Sequence, residues 1–290
     1  MEVEHVAAER LLHRGLGHVE FYDLPVEEVE DMGGLIDAFA AEGHDTFSLH
    51  APVGRGDDFP WAGVTCFYLC EDADRRALSF RTLGRALDAA RRWGATHVVT
   101  HLTFGKYDSC NATTAERLAG EACANLAEMS HDAGVPVDIE FAAYTDSFHA
   151  PGKFLDAING YPELGLCIDV GHAGLGAGIR ERRVLDDIEE LSQRARSLHL
   201  WNTLGAEHTK EFHHTPLHPS QQPVGGWLDI DAAVRTVLEQ APDCSIVFEY
   251  PVEEVTPEIQ EGYDWIAAIA DTYRSSPHLL PGASLQKTNS

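Results

Sequence analysis

Acidic and imidazole side chains stand at the ends of short apolar runs along this chain. His50 closes "DTFSLH", His101 closes "THVVTH", and Glu140 closes "PVDIE". Asp169 ends "LGLCID", with His172 three residues on. His199 lies in "SLHLWN", two residues before Trp201, and Glu249 lies in "SIVFEY". A lone histidine in such a place is more often a packed or rim residue than a ligand. A lone buried carboxylate needs a partner, because an unpaired charge there costs several kcal/mol. Six such run ends in one chain would need six separate partners. One divalent cation satisfies several at once, through carboxylate oxygens and imidazole nitrogens. The residue types therefore point to a metal centre.

The elements that must position these groups are legible as alternating patterns. Residues 18–23, 45–52, 96–104, 136–141, 164–172, 197–202 and 245–250 are short, β-branched or aromatic-rich runs of strand length. Between them lie amphipathic stretches such as 79–95 and 113–134, the latter with Leu118, Ala122, Leu126 and Met129 at helical spacing. A Gly and then a Pro in "HDAGVP" stop that helix before the next strand. Strand–helix alternation implies βαβ units and a parallel sheet. No G-x-G-x-x-G follows the first strand, so the dinucleotide-binding signature is missing. The expected fold is a (β/α)8 TIM barrel with its first strand short or missing. "VEHVAAERLLHRGLG" reads as a helix leading into "HVEFYD", preceded at most by a stub of strand. Residues 1–275 are expected to form one domain, and the Pro/Gly/Ser-rich 276–290 a loosely ordered tail. In a parallel barrel, functional groups gather at the C-terminal ends of strands. Those are the positions just named.

Composition sets bounds. The 290 residues are 44% hydrophobic, enough for a sizeable core. No stretch of about 18 apolar residues occurs, and the acidic N-terminus lacks a secretory pattern, so the chain reads as cytoplasmic without a membrane span. Its six cysteines are scattered and read as free thiols. With 47 acidic against 21 basic residues, the formal charge is -26. Such a surface repels nucleic acid and anionic membranes, and it is also the pattern of halophile-like proteins kept soluble in salt. Oligomeric state, a homo-oligomer included, is left open. "VEEVED" (26–31) and "LDDIEELSQ" (185–193) read as solvated helical faces. "GLGAGIRERR" (174–183) reads as a surface loop, with a phosphate-binding turn as the sharper alternative. "GRGDDF" (54–59) reads as a mobile loop or lid.

"FSLHAP", "VVTHLTFG", "VDIEF", "CIDVGHA", "SLHLWN", "FHHTPL" with "VGGWLDI", and "IVFEY" resemble the successive strand ends of the xylose isomerase-like barrels. That superfamily holds sugar (phosphate) isomerases and epimerases, related dehydratases and endonuclease IV-type enzymes. The resemblance runs from about residue 5 to 270. It implies that Glu140, Asp169, His199 and Glu249 form a metal quartet holding one divalent ion, Mn, Mg or Zn. It also implies that His172 touches substrate, or a further zinc in the endonucleases, and that His50, His101 and the loop residue His214 line the same pocket. Two departures stand out. The endonuclease pattern has Asp two residues before His214, where this chain has Phe212. The stretch after His199 has no Arg of the kind that holds hydroxyls in the epimerases, and Lys210 is its only cation.

The expected activity is isomerisation or epimerisation of a small sugar or other polyhydroxy carbonyl compound. Proton transfer would run through a metal-stabilised enediolate, with Glu140 and Glu249 as the acid/base pair. His50, His101, His172, Trp201 and His214 would contact the substrate. Alternatives are a dehydratase or lyase on the same site, a zinc-dependent abasic-site endonuclease, and a sugar-binding barrel without catalysis.

Overall fold

The structure, a computed structural model, describes residues 17–41, 43, 45–59, 64–252 and 255–275. Its strands are β1 (His18–Leu24), β2 (Thr46–Gly54), β3 (Val98–His101), β4 (Val137–Glu140), β5 (Leu164–Asp169), β6 (Ala195–Leu200) and β7 (Ser245–Phe248). They form one sheet in chain order, every neighbouring pair parallel. The edge strands β1 and β7 meet, so the sheet curls into a nearly closed barrel. This is the expected α/β barrel, and the short first strand of the sheet is present. The stretch where a strand stub was expected (1–16) and the tail (276–290) lie outside the described residues.

Helices cover the outside: α1 (Val26–Glu30), α2 (Gly33–Ala41), α3 (Ala73–Trp93), α4 (Ala112–Ala133), α5 (Pro151–Ile158), α6 (Val170–Ile179), α7 (Val184–Ser192), α8 (Ala206–Phe212), α9 (Ile230–Gln240) and α10 (Pro257–Arg274). Local chemistry sets their ends. The Asp72 side chain caps α3 by accepting from the N–H groups of Asp74 and Arg75, and Asn111 caps α4 by accepting from Thr114. Gly94 and Gly134 end these helices at φ of 80° and 66°. Among the described residues, no helix is long and apolar enough to cross a membrane.

The two faces of the strands differ in chemistry. Leu49, Val98, Val137, Ile139, Leu166, Ile168, Leu198 and Leu200 pack with the helices into one hydrophobic core. The alternate positions face the barrel interior, and there most side chains are polar, namely Glu20, Ser48, His50, His101, Asp138, Glu140, Asp169, Ser197 and His199, with Val99 and Cys167 between them. The usual interior of such a barrel is layered with branched apolar residues. Here the apolar core lies outside the barrel and a hydrogen-bonded polar layer lies inside it.

Two segments differ from expectation. The Gly-rich stretch is not a surface loop, because most of it is helix α6. Its glycines allow close packing: a Cβ on Gly171 would fall 2.0 Å from the Trp201 ring, and one on Gly176 would fall 2.9 Å from the Cβ of Ala143. Nor are its arginines free for phosphate. Arg180 donates to the carbonyls of Ala143 and Thr145, Arg182 to Asp187, and Arg183 pairs with Asp186. In "GRGDDF", Arg55 donates to Asp23, Tyr22 and the Val64 carbonyl, and Phe59 is fully buried, so this stretch is anchored.

Candidate metal centre

Glu140, Asp169, His199 and Glu249 each present a ligand atom, all within 4.8 Å of one another. The quartet predicted from sequence thus comes together at the C-terminal ends of β4, β5, β6 and β7. Parallel pairing puts Asp169 beside His199 in register. Asp169 is also the N-cap of α6, accepting from the backbone N–H of His172. Both its oxygens accept from the indole N–H of Trp201, at 2.9 and 2.8 Å. The helix start and the indole together fix its carboxylate.

Charge is unevenly compensated across this cluster. Burial, then the charges of Glu249 and Glu140, push the Asp169 carboxyl well above its usual range. Burial works the same way on Glu140, but the His101 and His50 imidazoles outweigh it and bring that carboxyl to about 2. The partial burial of Glu249 is likewise outweighed by its hydrogen bond with His199, which holds it well below the usual range. Oε1 of Glu140 accepts no hydrogen bond from the described residues, although Nε2 of His172 stands 3.3 Å away. Three carboxylates and one imidazole nitrogen suit Mn²⁺, Mg²⁺ or Zn²⁺. The residues present therefore fit a divalent ion.

The other expected residues surround the quartet. His50 donates from Nε2 to Glu140 at 2.8 Å and from Nδ1 to the Ala51 carbonyl at 3.0 Å. Both partners are acceptors, so the ring carries both protons. Burial opposes that charge, but the bond to Glu140 outweighs it and raises the pKa. His101 lies 3.2 Å from Glu140, with burial holding it down to about 4. His50, His101 and Glu140 form a second group with ligand atoms within 4.8 Å. The Tyr144 hydroxyl is hydrogen-bonded to Nδ1 of His172. His214 donates from Nδ1 to the Glu249 carbonyl at 2.8 Å and stacks on Trp201 at 3.9 Å. Trp201 is fully buried, so no ring face is open to a ligand, and the expected substrate contact becomes support for Asp169. Lys210 sits on α8, paired with Glu207. A cavity of about 620 Å³ opens over the cluster, lined among others by Glu20, Tyr22, His50, His101, His214 and Glu249.

The sequence reading missed Glu20 and Tyr144. Glu20 lies mid-strand in β1 and forms a third group with His50 and His199. Oε1 of Glu20 is 3.0 Å from Nε2 of His199, and Oε2 accepts from Ser48 at 2.7 Å. Burial pushes its carboxyl up, but His199 outweighs this and brings it to about 2. The only signal was the alternation of "HVEFYD", which also fits an edge strand facing solvent. Tyr144 follows β4 by four residues in a coil segment and carries no motif.

A parallel α/β barrel with a carboxylate–histidine cluster at its strand ends defines a class of metal-site barrels. The model of the xylose isomerase-like TIM barrel matches residues 63–269, and the chain belongs to that family. A sequence search among curated proteins finds no match. Solved structures share the fold at low identity. L-ribulose 3-epimerase superposes with a TM-score of 0.68 at 16% identity, over 98% of this chain and 93% of that one. The IOLI protein with a bound zinc atom gives 0.62 at 14%, over 93% and 91%. A xylose isomerase-like TIM barrel protein from Mycobacterium smegmatis, in complex with magnesium, gives 0.57 at 15%, over 94% and 90%.

Proposed function

We propose that the protein is a divalent-metal-dependent isomerase or epimerase acting on a small sugar or other polyhydroxy carbonyl compound. The observation that carries this reading is the convergence of Glu140, Asp169, His199 and Glu249 beneath an open cavity. Structural neighbours that are sugar epimerases support the substrate class.

A divalent ion held by the quartet would polarise a carbonyl and its neighbouring hydroxyl, which acidifies the C–H between them. The chain's own groups divide the remaining work. Glu249 is the accessible carboxylate, its side chain 36% exposed, and is the group to take a proton from a substrate in the cavity. Glu140 is fully buried and ringed by His50, His101 and His172. Its part is to hold a proton within that imidazole ring and return it on the opposite side. Tyr144 fixes the ring of His172, which orients a substrate oxygen.

The test is deuterium exchange. The Mn²⁺-loaded protein is incubated in D2O with a panel of pentuloses and hexuloses, and carbon-bound deuterium is read by NMR. A substrate shows exchange, and Glu249→Gln lowers the rate by about 10²- to 10⁴-fold with the fold intact. A Glu249→Gln protein exchanging at the wild-type rate overturns its role. Exchange followed by loss of water from the product places the protein with the dehydratases instead.

A second reading has one observation in its favour. His50, His101 and Glu140 bring ligand atoms within 4.8 Å of one another, as the further zinc of an abasic-site endonuclease would need, although both nitrogens of His50 are already hydrogen-bonded. Several features weigh against it. Nδ1 of His172 is taken by Tyr144 and Nδ1 of His214 by a carbonyl, Phe212 stands where an Asp is expected, and the charge is -26.

A further inference from the structure

We propose that Glu20 is a positioning residue for His199: its carboxylate sits behind the imidazole, takes the Nε2–H, and leaves Nδ1 turned to the metal quartet. The inference rests on the quartet's being a metal site. Its basis is the geometry inside the barrel. β1 and β2 pair in register at Glu20 and Ser48, both facing inward. Ser48 donates to Oε2 of Glu20 at 2.7 Å, and His18 stands 3.0 Å behind Ser48, so the carboxylate is held from below. Its other oxygen lies 3.0 Å from Nε2 of His199, while Nδ1 of the same ring points the other way, 3.0 Å from Glu249. Among the described residues Nε2 makes no hydrogen bond of good angle, so this close carboxylate is its natural partner. Histidine ligands generally donate their second N–H to a carboxylate or carbonyl, which fixes tautomer and ring orientation.

Two rival accounts of the same residues are weaker. A second cation held by Glu20, His50 and His199 would need Nε2 of a ring whose Nδ1 already serves the quartet. It would also need a nitrogen of His50, and both of those are committed to Glu140 and the Ala51 carbonyl. Cys167 also acts on the His199 ring, but burial keeps its thiol protonated, and a neutral S–H is a poor acceptor.

The test compares wild type, Glu20→Gln, Glu20→Leu and Glu249→Gln. Each is titrated with Mn²⁺ for a Kd, loaded with Co²⁺ for its visible ligand-field spectrum, and melted without metal. The expected result is a Kd weakened about 10- to 100-fold in Glu20→Leu and less in Glu20→Gln, whose amide oxygen still accepts the Nε2–H. The Co²⁺ bands shift, while the metal-free variants still melt in one cooperative transition, so the weaker Kd is not a loss of fold. Wild-type Kd and wild-type bands in both Glu20 variants overturn the proposal. Should the Leu variant not fold, the Gln variant decides alone: a weakened Kd with shifted bands supports the role, and unchanged values refute it. A wild-type protein that binds no Mn²⁺ or Co²⁺ sinks the metal-centre reading itself, an outcome distinct from the failure of Glu20 alone.

Discussion

Buried ionisable groups set how this protein meets acid. His18 and His97 stack inside the barrel, and burial holds each down to about 4. His101 is held at about 4 as well. Their folded pKa values lie below the ordinary histidine value, so between pH 6.5 and 4 the unfolded chain binds more protons. Stability from these groups is therefore present above that window and is lost as pH falls through it. Asp138, raised by burial to about 7, works in the opposite direction between pH 7 and its ordinary value near 4. Asp108, raised by burial to about 6, works with Asp138, while each of the three histidines contributes a loss with acid of up to roughly 1.4 kcal/mol per pH unit inside its window. Urea unfolding of metal-free His97→Gln, followed from pH 7 to 4, is expected to show a slope shallower by about one proton. An unchanged slope contradicts the assignment.

The same residues show how far the sequence could be read. Glu140, Asp169, His199 and Glu249 were legible because each interrupts an apolar run near its end, where a solvent-facing explanation is poor. Glu20 was not, because "HVEFYD" alternates polar and apolar residues as a half-exposed strand does. An inward polar layer and bulk water leave the same mark on a sequence. Trp201 was legible as a neighbour of the site but not as a buried donor to Asp169, since only the fold brings α6 against it.

At the scale of elements, one residue joins strand, helix and metal site. Asp169 ends β5, caps α6 and belongs to the quartet. Asn caps a helix as well as Asp does, and Ala does not. Without metal, Asp169→Asn is therefore expected to match wild type or exceed it, since it removes a carboxylate from a crowded cluster. Asp169→Ala should fall below Asp169→Asn by about 0.5–2 kcal/mol in denaturant unfolding. Both should lose metal affinity. Equal stability of the two variants would show that the cap contributes nothing. The strands and long helices followed from periodicity, but α6 did not. Glycine disfavours helix by about 1 kcal/mol per residue in isolation, so "VGHAGLGAGI" looks like a loop. Close approach of Gly171 to Trp201 and of Gly176 to Ala143 overrides that preference through packing.

At the scale of the whole molecule, the barrel moves its apolar core outside the strands and keeps a charged interior. That interior carries a hydrogen-bonded path from His18 at one end, through Ser48 to Glu20, with His199 and the quartet beyond. The net charge of -26 weighs against attraction to phosphate backbones. Whether the quartet holds one divalent ion is read from metal content per chain, by elemental analysis, for wild type and Glu249→Gln. About one Mn, Mg or Zn per chain in wild type, reduced in the variant, is the predicted result. Three zincs per chain would support the endonuclease reading, and no metal under any loading condition would contradict the metal centre outright.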